Sequence, residues 1–338
     1  LIEEIGRIHG FQNIPPKAAT VEVKPPLLCA NKQQERMVRA YLSDGCGFHE
    51  HVGYSFVWRT ILERMGADIG ERLELANPIS ADLDRMRRSL IPNLLHATEK
   101  NQRYFETFGL YEVGRVFHPV EGELPQQDRM VSWVWADKSP ETLTETENDF
   151  RALRGIVDEL FERSGIVNVH WKRPDTLSGQ LYETWLHPAR SLTLNVDNKI
   201  IGYMGYMHPR AQKNLGLNGS IRMAEINLDA VLALSNPKDS YSPLPKYPGI
   251  SFDVSFEVQQ SVTAETLAQA IHAGAKTPLL CHCDLFANYH LDQDRKSVSF
   301  HLLFRSDDGS LTDQQVNPHI ERMIEHVTRE IGAKLRGG

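Results

Sequence analysis

The sequence predicts an α+β protein, a domain built on an antiparallel sheet followed by a smaller ferredoxin-like (βαββαβ) domain. Three observations predict it. LYEVGRVFHP, Leu110 to Pro119, alternates residue by residue as a strand with two unlike faces does, and MVSWVWAD repeats the alternation soon after. SNPKDSYSPLPKYPG, Ser235 to Gly249, holds four prolines and no periodicity, which marks a linker. Beyond it, strand and helix patterns follow in the order βαββαβ.

From the start of the chain, LIEEIGRIHGF keeps Ile2, Ile5 and Ile8 at helical spacing and stops at Gly10, with Asn13 to Pro16 ending it firmly. The first residue falls inside this helical pattern, so the chain reads as part of something longer. Asn31 to Leu42 form a charged helix with Met37, Val38 and Tyr41 on one side, and DGCGF supplies the stop. HEHVGYSFV reads as a strand, WRTILERMG as a helix, and ERLELANPI as a strand broken at Asn77-Pro78. Arg85 to Phe105 hold a helix entered near Ser89, with Pro92 in its first turn, where a missing N–H costs little. The alternating strand then ends at His118-Pro119, because proline cannot donate to a sheet ladder.

Asp137 to Asn148 are polar and acidic, an exposed connection or a helix lead-in. Phe150, Leu153, Val157, Leu160 and Phe161 mark an amphipathic helix. VNVHWKRP, RSLTLNVDNKIIGYMGYMHP and SIRMAEINLDAVLAL read as a second run of strands, with a hairpin turn at Asp197-Asn198. In the C-terminal domain SFDVSFEV, LLCHCDLFANY and KSVSFHLLFR are strands, TAETLAQAIHAG and TDQQVNPHIERMIEHVTREIG helices, and AKLRGG the last strand. Both helices then cover one sheet face and leave the other open to a ligand.

The bulk numbers agree with a globular chain of two domains. Of 338 residues, 41% are hydrophobic and 24% charged. Cys29, Cys46, Cys281 and Cys283 are too scattered for a disulfide framework, which favours a reducing compartment. No apolar run approaches the roughly 18 residues of a membrane span, so no membrane partner is expected and the cytoplasm is the expected location. A net charge of −7 argues against indiscriminate coating of nucleic acid.

LIEEIGRIHGFQNIPP, LANPISADLDRMRRSLIPNLL, GLYEVGRVF, IIGYMGYMHPR, KYPGISFDVSFEV and LLFRSDDGSLTDQQVN together resemble the C-terminal half of the β chain of bacterial-type phenylalanyl-tRNA synthetase. The resemblance implies three parts: residues 1–25 as the end of an upstream helical module and its connection, 26–238 as a catalytically inactive class II aminoacyl-tRNA synthetase-like antiparallel-sheet domain, and 245–338 as a ferredoxin-fold anticodon-binding domain. It implies a phenylalanine–tRNA ligase subunit that scaffolds a catalytic α chain in an (αβ)₂ heterotetramer and binds tRNA(Phe). Editing and N-terminal tRNA-binding modules would lie upstream. ATP would be used by the holoenzyme, and Mg²⁺ shared with the α chain.

A catalytic class II domain needs an arginine on the ATP α-phosphate, because charge must be neutralised as the adenylate forms. Where the family's α chain continues with that arginine, this chain has His118-Pro119, and no glycine-rich segment ending in arginine follows near IRMAEINLDAVL. No catalytic residue is therefore expected here. A free-standing ligase would need the missing cation, and a repurposed paralogue acting as a protein-interaction module without tRNA binding is the alternative.

Four groups of residues remain. Glu3 and Glu4 match the family's magnesium ligands, whose hard carboxylate oxygens suit the ion; otherwise they are an exposed acidic helix face. Cys281-His282-Cys283 and His49-Glu50-His51 lack the further ligands a zinc site needs, so they read as structural, the two cysteines as small buried side chains sharing one strand face. Arg85, Arg87 and Arg88 sit in a charge-balanced run and read as ion-pair or interface residues. For tRNA, the candidates are Lys246, Tyr247, Phe252, Arg305, Lys334 and Arg336, on neighbouring strands of the ferredoxin-like sheet. Pro245 to Gly338 carry 9 basic against 12 acidic residues, so recognition there must come from stacking and a few placed contacts.

Overall fold

The computed structural model describes residues 1–25, 27, 29–67, 72–122, 124–139, 143–166, 169–174, 185–196, 199–235 and 244–336, with 143–147 as backbone only. The chain divides into two compact units, Leu1–Asp239 and Ser240–Gly338.

The first unit runs α1 (Ile2–His9), α2 (Ala30–Ala40), β1 (His49–Glu50), β2 (Phe56–Val57), α3 (Arg59–Met65), β3 (Arg85–Met86), α4 (Ile91–Asn101), β4 (Thr107–His118), β5 (Gln126–Asp137), α5 (Leu143–Arg163), β6 (His170–Lys172), β7 (Leu186–Val196), β8 (Lys199–Met207), α6 (Pro209–Leu215), β9 (Ser220–Asn227) and α7 (Leu228–Leu234). Seven strands form one sheet in the order β1-β4-β5-β9-β8-β7-β6. Only the β1–β4 pair of that sheet is parallel, as an antiparallel α+β architecture requires.

Alternation gives the sheet two apolar faces. Tyr111, Val131 and Trp133 lie on one, in a cluster with Val38, Leu42, Val157, Phe161 and Val231 of α2, its continuation, α5 and α7. Leu110, Val134, Tyr203 and Met223 lie on the other, with Ile61, Leu94 and Leu215 of α3, α4 and α6. Each large side chain buried this way stabilises by about 1.5–3 kcal/mol. β4 ends at His118, one residue before the proline.

Several sequence expectations are corrected. HEHVGYSFV is not one strand: its ends pair with different partners, β1 with β4 and β2 with β3. Between them the backbone is held by the His51 N–H on Tyr111 O at 2.7 Å, by Ser55 O accepting the Arg87 N–H at 3.0 Å, and by side chains. ERLELANPI shrinks, among its described residues, to a single bridge between Glu74 and Arg85. LDAVLAL is helix α7, because Asn227 Oδ1 accepts the Ala230 N–H at 2.9 Å and caps it. α2 does not stop at Leu42 but passes into a π-turn over Tyr41–Gly45. Asp197, Asn198 and much of the Ser235–Gly249 linker lie outside the described residues.

The second unit comprises β10 (Ile250–Gln259), α8 (Ala264–Ala275), β11 (Leu280–His290), β12 (Arg295–Phe304), α9 (Asp313–Ile331) and β13 (Lys334–Leu335). Its sheet order, β11-β12-β10-β13, is the ferredoxin-like one. Val254, Phe256, Val298, Phe300 and Phe304 face α8 and α9, where Leu267, Ile271, Val316, Met323 and Val327 complete a core. The helices meet closely at Gly274, where an added Cβ would lie 2.9 Å from Met323 Cα.

Candidate nucleic-acid interface

The face of the second sheet turned away from α8 and α9 is built by cross-strand register. Ser255 pairs with Ser299 and Ser299 with Ala287, which gives a floor of small side chains. The Ser255 and Ser299 hydroxyls bond each other at 2.7 Å. Tyr289 shares this face through its pairing with Ser297, and Asp253 shares it with His301.

A bulge between Leu285 and Ala287 leaves Phe286 unpaired and turns it onto the same face. Its ring stacks on His301 with centroids 3.9 Å apart. The Arg336 guanidinium lies 5.9 Å from the Tyr289 ring centroid. Phe286 and Tyr289 are each 48% exposed, so two aromatic plates stand above a small-residue floor with their faces partly open to solvent. That is the arrangement on which unstacked bases lie.

Two carboxylates of this face already have partners. His301 Nδ1 is bonded to Asp253, and Arg295 to Glu257. Lys334 pairs in register with Glu257, and Arg336 donates its backbone N–H to Ser255 O at 2.8 Å, so both residues belong to the β13 edge, from which the Arg336 guanidinium reaches toward Tyr289 on β11. Arg305 follows β12 at the opposite end of the sheet, where its N–H bonds Leu279 O at 2.8 Å. Lys246 and Tyr247 are exposed in the turn before β10.

Phe252 is a correction: it lies on the helix-covered face, against the core, with its ring edge-on to Phe304 at 6.1 Å. Its register partner Leu302 is a core residue, which fixes the side of the strand it occupies. Phe286, Tyr289 and His301, absent from the sequence-derived set, are the aromatic residues that stand on the free face. The cysteines are corrected too. Cys281 is the unpaired residue of a second bulge and is exposed, while Cys283 is half-buried among core residues, with burial pushing its thiol up to about 12.

In the first unit the guanidinium groups buried against the central sheet are already engaged. Arg87 Nη1 donates to Glu112 Oε1 at 2.6 Å and to Tyr54 O at 3.0 Å, and its Nε to Arg115 O at 2.9 Å. Arg129 Nε donates to Asp229 at 2.7 Å. Arg222 sits 3.8 Å over the Trp135 ring with Nη1 2.8 Å from Asp149. His118 lies 3.5 Å from Asp128, and burial lowers its pKa. Arg85 pairs with Glu74 at 2.8 Å, in keeping with the ion-pair reading of that cluster.

Glu112, together with Asn93, also pins the loop between β1 and β2. Glu112 accepts from Gly53 N–H at 3.3 Å and binds His51 Nδ1 at 3.0 Å. Asn93 Nδ2 donates to Tyr54 O at 3.1 Å and Phe56 O at 3.0 Å. Held from beneath, the loop turns Val52 (86% exposed) and Tyr54 (60%) outward. Burial works to raise the Glu112 pKa, but the His51 and Arg87 contacts outweigh it and hold the carboxyl below its ordinary range.

Glu3 and Glu4 lie in the first turn of α1, exposed, and Glu4 is paired with Arg7 at 2.8 Å. No group of three or more His, Cys, Asp or Glu side chains converges among the described residues. Two carboxylates, one already engaged by a guanidinium, do not by themselves make a magnesium site. Among the described residues no helix is long and apolar enough to cross a membrane.

Comparison with known proteins gives two matches along the chain. The family model for the phenylalanyl tRNA synthetase beta chain CLM domain matches residues 14–228, and that for the ferredoxin-fold anticodon binding domain matches 245–336. The phenylalanine–tRNA ligase beta subunit of Geobacillus kaustophilus is 31% identical over 345 residues, covering 100% of this chain and 42% of its own length. That of Syntrophus aciditrophicus is 29% identical over 348 residues, covering 99% of this chain and 42% of its own. The chain thus spans less than half the length of these curated relatives. Among solved structures, pyrrolysyl-tRNA synthetase from Desulfitobacterium hafniense aligns with a TM-score of 0.47 at 12% identity, over 60% of this chain and 68% of its own.

Proposed function

The chain belongs to the phenylalanyl-tRNA synthetase β-chain family, and from that premise we propose that it is a non-catalytic portion of a phenylalanine–tRNA ligase β subunit that holds a catalytic α chain and binds tRNA(Phe). The observation that carries the tRNA part is the free face of the second sheet, where exposed rings stand over a floor of serines and an alanine. Bases of an unpaired loop stack on the Phe286–His301 pair and on Tyr289. Lys334 and Arg336 meet the phosphates between them, and Lys246, Tyr247 and Arg305 extend the contact toward the other end of the sheet.

The first unit contributes packing surface rather than chemistry. Its buried arginines are committed to Glu112, Asp229 and Asp149, which supports placing ATP and adenylate formation on the α chain; the assembly proposed from the family is an (αβ)₂ heterotetramer in the cytoplasm. The pinned loop carrying Val52 and Tyr54 is part of the surface offered to that chain. Mg²⁺ would be the partner's ion, with Glu3 and Glu4 joining it only beside further oxygen ligands.

The test is a tRNA titration at fixed salt with the wild-type chain and Phe286→Ala, together with copurification against a co-expressed α chain. Base–aromatic stacking is worth about 1–3 kcal/mol, so the substitution is expected to weaken binding about 5- to 150-fold with little change in melting temperature. Unchanged affinity would remove the free face from the reading. Copurification without any tRNA binding would favour the interaction module.

A further inference from the structure

Glu225, in β9, is buried to 1% exposure in the hollow between the central sheet and α4. Ser89 Oγ lies 3.0 and 2.8 Å from its two oxygens. Leu90 N–H donates to Oε1 at 2.8 Å, Ser132 Oγ to Oε1 at 2.7 Å, and Tyr203 OH to Oε2 at 3.0 Å. These donors come from the start of α4, from β5 and from β8. β9 supplies only the group they hold.

Two of the hydroxyls are themselves oriented from behind. Ser89 Oγ accepts the Ile91 N–H at 3.1 Å, and the Tyr203 oxygen accepts the Trp185 indole N–H at 3.4 Å. A hydroxyl has one proton, so with a lone pair occupied behind it each is aimed forward at the carboxyl. The apolar surroundings, Leu90, Ile91 and Met223, exclude water. Such a lining recognises a carboxyl group by shape and by donor placement, whether the group is joined to the chain or not.

The geometry points to a preformed receptor for a small carboxylic acid or its carboxylate, lined by Ser89, the Leu90 N–H, Ser132 and Tyr203, that this chain keeps closed with its own Glu225 side chain. RNA binding and the α chain play no part in it. Shortening the side chain opens the receptor to a free acid whose size is set by the atoms removed. Glu225→Ala leaves space for CH₂–COO, matched by acetate; Glu225→Gly leaves one carbon more, matched by propionate.

The experiment is thermal and urea unfolding of the 338-residue wild type, Glu225→Ala and Glu225→Gly in chloride, formate, acetate and propionate at constant ionic strength and pH. Both variants are expected to melt below wild type in chloride. Acetate should restore the alanine variant saturably, with at least tenfold higher apparent affinity than propionate, and the order should reverse in the glycine variant. Ser132→Ala in the Glu225→Ala background should weaken the acetate effect. Should either variant fail to fold in chloride, its yield of soluble folded chain on refolding is read instead, with the same acid preference expected. The proposal is overturned if no acid acts saturably on either variant, if the two variants show the same order, or if wild type responds equally.

Discussion

The charge arrangement of the free sheet face makes a quantitative statement about salt. Around it Arg295 is tied to Glu257 and the His301 ring is bonded to Asp253, which leaves the cations Lys334 and Arg336 at one end. Single-stranded nucleic acid gives a slope in log affinity against log salt of about −0.7 per phosphate neutralised. Two cations therefore give a slope of about −1.4, and raising salt fourfold weakens binding only about sevenfold. Lys246 and Arg305 lie roughly 20 Å away along the strands, at about 3.3 Å per residue. If an RNA long enough to reach both ends engages all four, the slope becomes about −2.8 and the same change costs about 50-fold. Fluorescence anisotropy with the whole chain at four salt concentrations measures this, using a short single-stranded loop and full tRNA. Arg336→Ala should flatten the short-loop slope by about 0.7. A slope steeper than about −4, or one indifferent to Arg336→Ala, would refute base stacking with few phosphate contacts as the mode of recognition.

Two further outcomes follow from the first unit. Glu112→Gln strands Arg87 in a buried position, and breaking such a pair costs about 3–5 kcal/mol at pH 7. Because the Glu112 carboxyl is held below its ordinary range, its stabilisation is full above that range and is lost as pH falls through the folded pKa. The gap between wild type and variant in urea unfolding should therefore narrow below about pH 4.5, and a gap that widens on acidification would contradict the pair. Gly109→Ala would set its Cβ 2.0 Å from the Phe48 ring, which is backed by Trp135 at 6.0 Å. A loss of about 1–3 kcal/mol is expected in the same assay, and an effect within experimental error would mean that Phe48 is free to swing away.

The division between what a chain spells out and what packing decides is visible in particular residues. The alternation of Leu110, Glu112 and Gly114 against Tyr111, Val113 and Arg115 was legible, because strand periodicity is local; so was the stop at His118-Pro119, a property of proline itself. The βαββαβ order was legible for the same reason, since each element advertises its own period. Asn227, read as strand, carried a recognisable cap signal in Asn-Leu-Asp-Ala that the apolar run around it obscured.

The aromatic platform was not legible. Phe286 and Tyr289 are three residues apart, which on a regular strand puts them on opposite faces; the bulge at Phe286 brings them to one. Phe252 shows the converse, an aromatic residue suited by type to stacking but turned by register into the core. Nor did any spacing announce that Ser89, Ser132 and Tyr203 would meet at Glu225, separated as they are by 136, 93 and 22 residues. The sequence by itself determined most of the elements and their order, since these are short-range properties of residue type. Only the tertiary structure decided which side chains share a face and which buried charges already have partners, because both depend on strand register, bulges and contacts across layers.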